Sequence, residues 1–166
     1  MTNTKSKRKI KSDHITPITD FQKDPFLSLL RPFVEAYLAF YRVSSRQIES
    51  LGVTPSQFDV IAELGGTEGL TCAELSKETL VTKGTLTGVL DRLEAKKILK
   101  REDVKGDRRA IKIRLTAQGE ALFRDIFPTH ATFLRPFFEQ ALTQREVKQM
   151  KVLLARIRDS FESGAS

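Results

Sequence analysis

Eight side chains of this 166-residue chain have the chemistry to meet a nucleic acid: Thr82, Lys83, Thr85, Thr87, Arg92, Lys105, Arg108 and Arg109. Threonine can contact thymine methyls or donate to phosphates, and Lys83 can reach guanine or phosphate. Lys105 and Arg108 suit phosphate oxygens, which position a protein on a duplex without reading its sequence. Arg92 has two readings, a phosphate contact or a local ion pair with Asp91 or Glu94. Charge supports the grouping. Residues 83–114 hold eleven Lys or Arg against five Asp or Glu, an excess of six in a chain of net charge +7. A local positive excess is what duplex binding needs, because each neutralised phosphate releases condensed counterions.

These residues must be held by two elements. From Lys83 to Lys97 the apolar positions are Leu86, Val89, Leu90 and Leu93, the i, i+3, i+4, i+7 spacing of an amphipathic helix. The opposite face carries Lys83, Gly84, Thr85, Thr87, Gly88, Asp91 and Arg92, small or polar enough to approach a groove closely. Two alternating runs follow, 98–101 and 110–115, on either side of a polar turn at 104–109 that contains Gly106. That is a hairpin pattern. Upstream, Thr54-Pro55-Ser56-Gln57 and Thr71-Cys72-Ala73-Glu74 are capping boxes, each opening a short helix, and Thr82 is expected to cap the basic one. Two short helices joined by so brief a turn make a helix-turn-helix, and the hairpin makes it winged. The expected fold class is mainly α with a small β-hairpin wing.

The chain ends read differently. Residues 1–20 are basic and poor in apolar residues, and predict a mobile tail. Asp24-Pro25 predicts a helical start. Pro32 should break a continuous helix, so that a short turn precedes the main one. From Phe33 to Ser50 the apolar stripe is wider than one core contact requires, which points to burial by a partner chain. A helix is expected from Ala117, capped by Thr116 and kinked or broken at Pro128 and Pro136. A further capping box at Thr143 opens a final amphipathic helix reaching Phe161.

Reactive chemistry is sparse. Cys72, the single cysteine, excludes an internal disulfide framework and suits a reducing cytoplasm. It lies at a predicted helix N-terminus, where a thiol sensor could sit, but Thr71, Ala73 and Glu74 bring no cation. His14 and His130 are the only histidines, and no Cys/His/acid cluster has metal-ligand spacing. No nucleophile motif and no Gly-rich phosphate loop occurs. We therefore expect no catalytic residue, no metal site, no cofactor and no enzyme. No run of about 18 apolar residues is present, so no membrane span is expected, and the N-terminus lacks the apolar region of a secretory signal. The expected location is the cytoplasm.

In the order of its elements and in its residues the chain resembles the MarR family of winged-helix transcription regulators, over about residues 33–161. The most specific segments are Leu75-Ser76, Val89-Leu90-Asp91-Arg92-Leu93-Glu94, Asp107-Arg108-Arg109 and Leu115-Thr116-Ala117-Gln118-Gly119. The resemblance implies a homodimer with interlocked terminal helices, presenting two winged helices to double-stranded DNA, and a role usually as a repressor. It implies that Asp107 orients Arg109 toward the minor groove. It also implies a small aromatic or phenolic effector, for which Tyr37, Tyr41 and Arg42 could line a pocket with Phe58 as a wall. Lys97 departs from the pattern, since that position is usually glycine. The expected organisation is a tail at 1–20, an N-terminal dimerisation region at 21–52, the winged helix-turn-helix at 53–116, C-terminal dimerisation helices at 117–162 and a frayed end at 163–166. The alternatives are a winged-helix protein-interaction module meeting an acidic partner, and a redox regulator acting through Cys72.

Overall fold

The computed structural model describes residues 23–104 and 107–164, and of residues 104 and 107–110 the backbone alone. The expected basic tail and Lys105 lie outside the described residues. Two compact units divide the chain, residues 1–42 and 43–166, and helix α1 (Leu30–Ser50) belongs to both.

In the first unit, Asp24 Oδ1 accepts the amides of Phe26 at 2.8 Å and Leu27 at 2.9 Å and so starts a short 3-10 turn, Leu27–Leu29. The α-helix begins directly after it. Pro32 falls inside the first turn of α1, where its missing N–H would have had no helical partner anyway. It marks the start of the helix and breaks nothing. Phe33, Val34, Tyr37, Leu38, Phe40 and Tyr41 are all exposed within this chain.

The second unit holds the winged helix. Its elements are α2 (Pro55–Leu64), β1 (Leu70–Thr71), α3 (Cys72–Glu78), α4 (Lys83–Ala95), β2 (Leu99–Val104), β3 (Asp107–Leu115), α5 (Ala117–Ala141) and α6 (Gln144–Gly164). All three expected capping boxes are present: Thr54 with Gln57, Thr71 with Glu74, and Thr143 with Glu146. Antiparallel strands run in the order β1-β3-β2, with Leu70 opposite Ile113 and Leu99 opposite Leu115. The four apolar residues of α4 are all buried, against Val60, Ile61 and Leu64 of α2, Leu75 of α3 and Leu99 and Ile113 of the sheet.

Two expectations need correction. Helix α5 is continuous through Pro128 and Pro136. Each proline removes one rung of the ladder, but the buried Ile126 and His130 flank Pro128 and hold both sides of it in the same packing. The strands also extend into the expected turn, to Val104 and from Asp107, and β1 was not anticipated at all. Among the described residues no helix is long and apolar enough to cross a membrane, and no group of three His, Cys, Asp or Glu could hold a metal ion.

His130 is buried on α5. Its Nε2 lies 3.2 Å from Ser44 Oγ and its Nδ1 2.5 Å from Gln47 Oε1. A neutral ring with Nδ1–H donating to Gln47 and Nε2 accepting from Ser44 satisfies all three groups. Burial holds the His130 pKa below its ordinary value. The neutral form is thus favoured by folding, and that stability is present above the unfolded-state pKa, near 6.5, and lost as pH falls through the lower folded value. Urea unfolding at pH 7.5 and pH 5 should therefore show the unsubstituted chain losing more stability on acidification than His130→Gln. Equal losses would remove His130 from the acid response.

Candidate DNA-binding surface

The surface is built around α4. Thr82 has the extended backbone of an N-cap, and its carbonyl accepts the amides of Thr85 and Leu86, each at 2.9 Å. Its hydroxyl does not cap the helix as expected. It lies 3.1 Å from the hydroxyl of Thr85 and leaves the first amides of α4 without a side-chain acceptor from this residue. Lys83, Gly84, Thr85 and Thr87 are exposed on the face opposite the buried leucines. A Cβ built on Gly84 would meet nothing within 4 Å, so nothing in this chain requires glycine there.

Helix α2 fastens the turn that leads into α4. Asp59 Oδ2 accepts the amide of Leu80 at 2.7 Å. Burial raises the Asp59 pKa, and the Leu80 amide opposes that rise. Sequence reasoning missed Asp59, whose only signal is an acid standing between Phe58 and Val60 in an apolar stretch.

The C-terminus of α4 explains how Lys97 is tolerated. Lys97 has φ 58°, the left-handed conformation. Its amide bonds to Glu94 O at 2.8 Å, and the amide of Ile98 bonds to Leu93 O at 2.9 Å. These two bonds form a Schellman motif, and they hold lysine in a place that costs it about 1 kcal/mol relative to glycine. Thr116 then joins the base of the wing to the start of α5. Its amide bonds to Ile98 O at 3.0 Å, its hydroxyl donates to Lys97 O at 2.6 Å, and Thr116 Oγ1 accepts the amide of Gly119 at 3.1 Å.

Neither Asp91 nor Glu94 pairs with Arg92. Both are taken by Arg101 of β2, a residue the sequence reading did not single out. Asp91, the larger cause, and Glu94 raise the Arg101 pKa against the opposing effect of burial. Arg92 is exposed. On the wing, Asp107, Arg108 and Arg109 occupy the first three positions of β3. Their side chains, like Lys105, lie outside the described residues.

The residues expected to meet an effector fall in both units. Tyr37 and Tyr41 stack with ring centroids 6.0 Å apart. Phe58 packs edge-on to His130 at 4.8 Å and stacks on Phe127 at 6.3 Å. Arg42 is exposed on α1, and Cys72 is exposed at the first position of α3.

Comparison with known proteins adds three likenesses and a family match. The model of the MarR family matches residues 51–110. An HTH-type transcriptional regulator of Bacillus cereus is 30% identical over 121 residues, which span 73% of this chain and 80% of the relative. The HTH-type transcriptional repressor MdtR of Bacillus subtilis is 28% identical over 127 residues, 75% of this chain and 81% of its own. Among solved structures, BpsR of Bordetella bronchiseptica superposes with a TM-score of 0.69 at 27% identity, covering 84% of this chain and 96% of that one. That structure concerns regulation of BpsR's DNA binding by 6-hydroxynicotinic acid.

Proposed function

The chain belongs to the MarR family of DNA-binding transcription regulators, which are not enzymes, and we propose that it is a homodimeric repressor of a pseudo-palindromic operator, modulated by a small aromatic or phenolic ligand. The observation that carries the reading is α4: a helix whose apolar side is fully buried, while Lys83, Gly84, Thr85 and Thr87 form an exposed face that leads into a wing. In this reading Thr82, Lys83, Thr85 and Thr87 meet base edges and phosphates in the major groove. Arg92, Lys105 and Arg108 contact phosphates. Arg109, oriented by Asp107, enters the flanking minor groove.

Dimerisation is supported by apolar surface that the single chain leaves uncovered. Val147, Met150, Leu153, Leu154 and Phe161 are all exposed on α6, which has no buried residue among those described. Leu27, Leu30, Phe33 and Leu38 are exposed in the first unit. Apolar area of this extent on a monomer marks an interface. A two-fold dimer places its half-sites about one helical turn apart. The likeness to MdtR, a transcriptional repressor, supports repression, and the ligand-regulated DNA binding of BpsR supports an effector of its chemical class.

Selection of sites from a random duplex pool near physiological salt tests the proposal. An enriched pseudo-palindrome is expected. Salt-sensitive binding without enrichment would overturn sequence-specific repression. The glycine on the exposed face gives a sharper check. Gly84→Ala should stabilise the free protein by up to about 1 kcal/mol, because alanine is the better helix former. It should weaken operator binding if the backbone approaches the groove closely. A variant that gains stability and keeps full affinity would refute the close approach.

A further inference from the structure

The wing leaves the body of the protein at a definite point. Along the inner face of the sheet the paired residues run Leu99 with Leu115, Arg101 with Ile113, and Asp103 with Ile111. Leu99, Leu115 and Ile113 are buried, whereas Ile111 is 48% exposed. Arg101 thus stands at the last register position with an apolar anchor opposite it. From there its side chain reaches back to α4. Nη2 bonds Asp91 Oδ1 at 2.7 Å, Nη1 pairs with Glu94, and the Arg101 amide bonds Glu94 Oε1 at 3.2 Å. Asp91 and Glu94 are three residues apart and share one helix face. A planar guanidinium that bridges both fixes a direction as well as a distance, which an ammonium cannot do. Among the described residues the other ion pairs of the wing stay within the sheet, Glu102 with Lys100 on β2 and with Arg114 on β3, and set nothing relative to α4.

We propose that Arg101 is a positioning residue for DNA binding: bridging Asp91 and Glu94, it sets the angle between the recognition helix and the wing and so aims Arg109. The inference rests on the reading of Arg109 as the wing's DNA contact. Arg101 touches no DNA in this scheme. Its effect passes through Arg109.

A double-mutant cycle on the selected operator tests this, with binding referred to the folded fraction measured by circular dichroism. Arg101→Met and Arg101→Lys should each weaken binding about tenfold in the otherwise unsubstituted protein, and less than about twofold in the Arg109→Ala background. Glu94→Gln, which acts from the helix side and keeps Arg101, should show the same dependence on Arg109. Equal losses in both backgrounds would overturn the proposal, as would full binding by Arg101→Lys, which would leave simple charge neutralisation. If Arg109→Ala alone binds as tightly as the unsubstituted chain, the wing contact itself is overturned and Arg101's role with it. The single variant therefore separates failure of the underlying reading from failure of the inference.

Discussion

Gly119→Ala is expected to destabilise the protein by about 3 kcal/mol, the upper part of the range for overpacking a rigid site. A Cβ at this position would fall far inside contact distance of the Ile98 carbonyl oxygen and 3.1 Å from Leu115 Cβ. The carbonyl cannot retreat cheaply. Ile98 O already accepts the amide of Thr116, and the amide of Ile98 is committed to Leu93. Relief would have to come from moving the first turn of α5, which would pull Gly119 N away from the Thr116 hydroxyl. Urea unfolding of both proteins at one fixed concentration measures the effect, because the apparent stability of the proposed dimer would depend on concentration. A loss below about 0.5 kcal/mol, the scale of ordinary surface substitutions, would show that the corner yields more readily than its bonding suggests.

Arg109→Ala is expected to weaken operator binding by about 1–3 kcal/mol while leaving the proposed dimer intact. An arginine held in a narrow minor groove gains from the enhanced negative potential there, and alanine recovers none of it. The salt dependence should flatten by about one counterion, since one phosphate-attracted cation is removed. The residue belongs to β3 and the exposed apolar face to α6, so sedimentation of the variant should match that of the unsubstituted protein. Unchanged affinity would remove the wing from the binding surface and leave α4 alone to carry it.

What the sequence made legible follows the reach of each signal. Helix α4 and its inward residues were readable because Leu86, Val89, Leu90 and Leu93 repeat at helical spacing, and all four are buried. The helix starts at Thr54 and Thr71 were readable because a capping box is a local device. The wing was harder. Glu102 and Asp103 are consecutive acids with no apolar alternation, so the strand ends were placed too near the core. Strand β1 is two residues long, too short to show a period. No break occurs at the prolines of α5, because the local penalty is met by packing that the sequence pattern does not show. Asp59 and Arg101 had no sequence signal of consequence. Their partners are Leu80, 21 positions away, and Asp91, ten positions away. Such charged residues become informative only when the fold brings their partners to them.

The bond from Thr116 N to Ile98 O closes the base of the hairpin before the hairpin begins. Beyond Arg101 and Ile113, the last pair with a buried apolar member, the hairpin is an excursion whose length the core does not dictate. Extra residues at the tip cost little, since each doubling of a flexible loop adds only about 0.6 kcal/mol of closure entropy. The span of duplex that such an arm covers is therefore an adjustable dimension. In the proposed binding mode, insertion or deletion at the tip would change how far along the DNA the protein reaches, while the buried leucines, the Schellman turn and the bonds of Thr116 stay as they are.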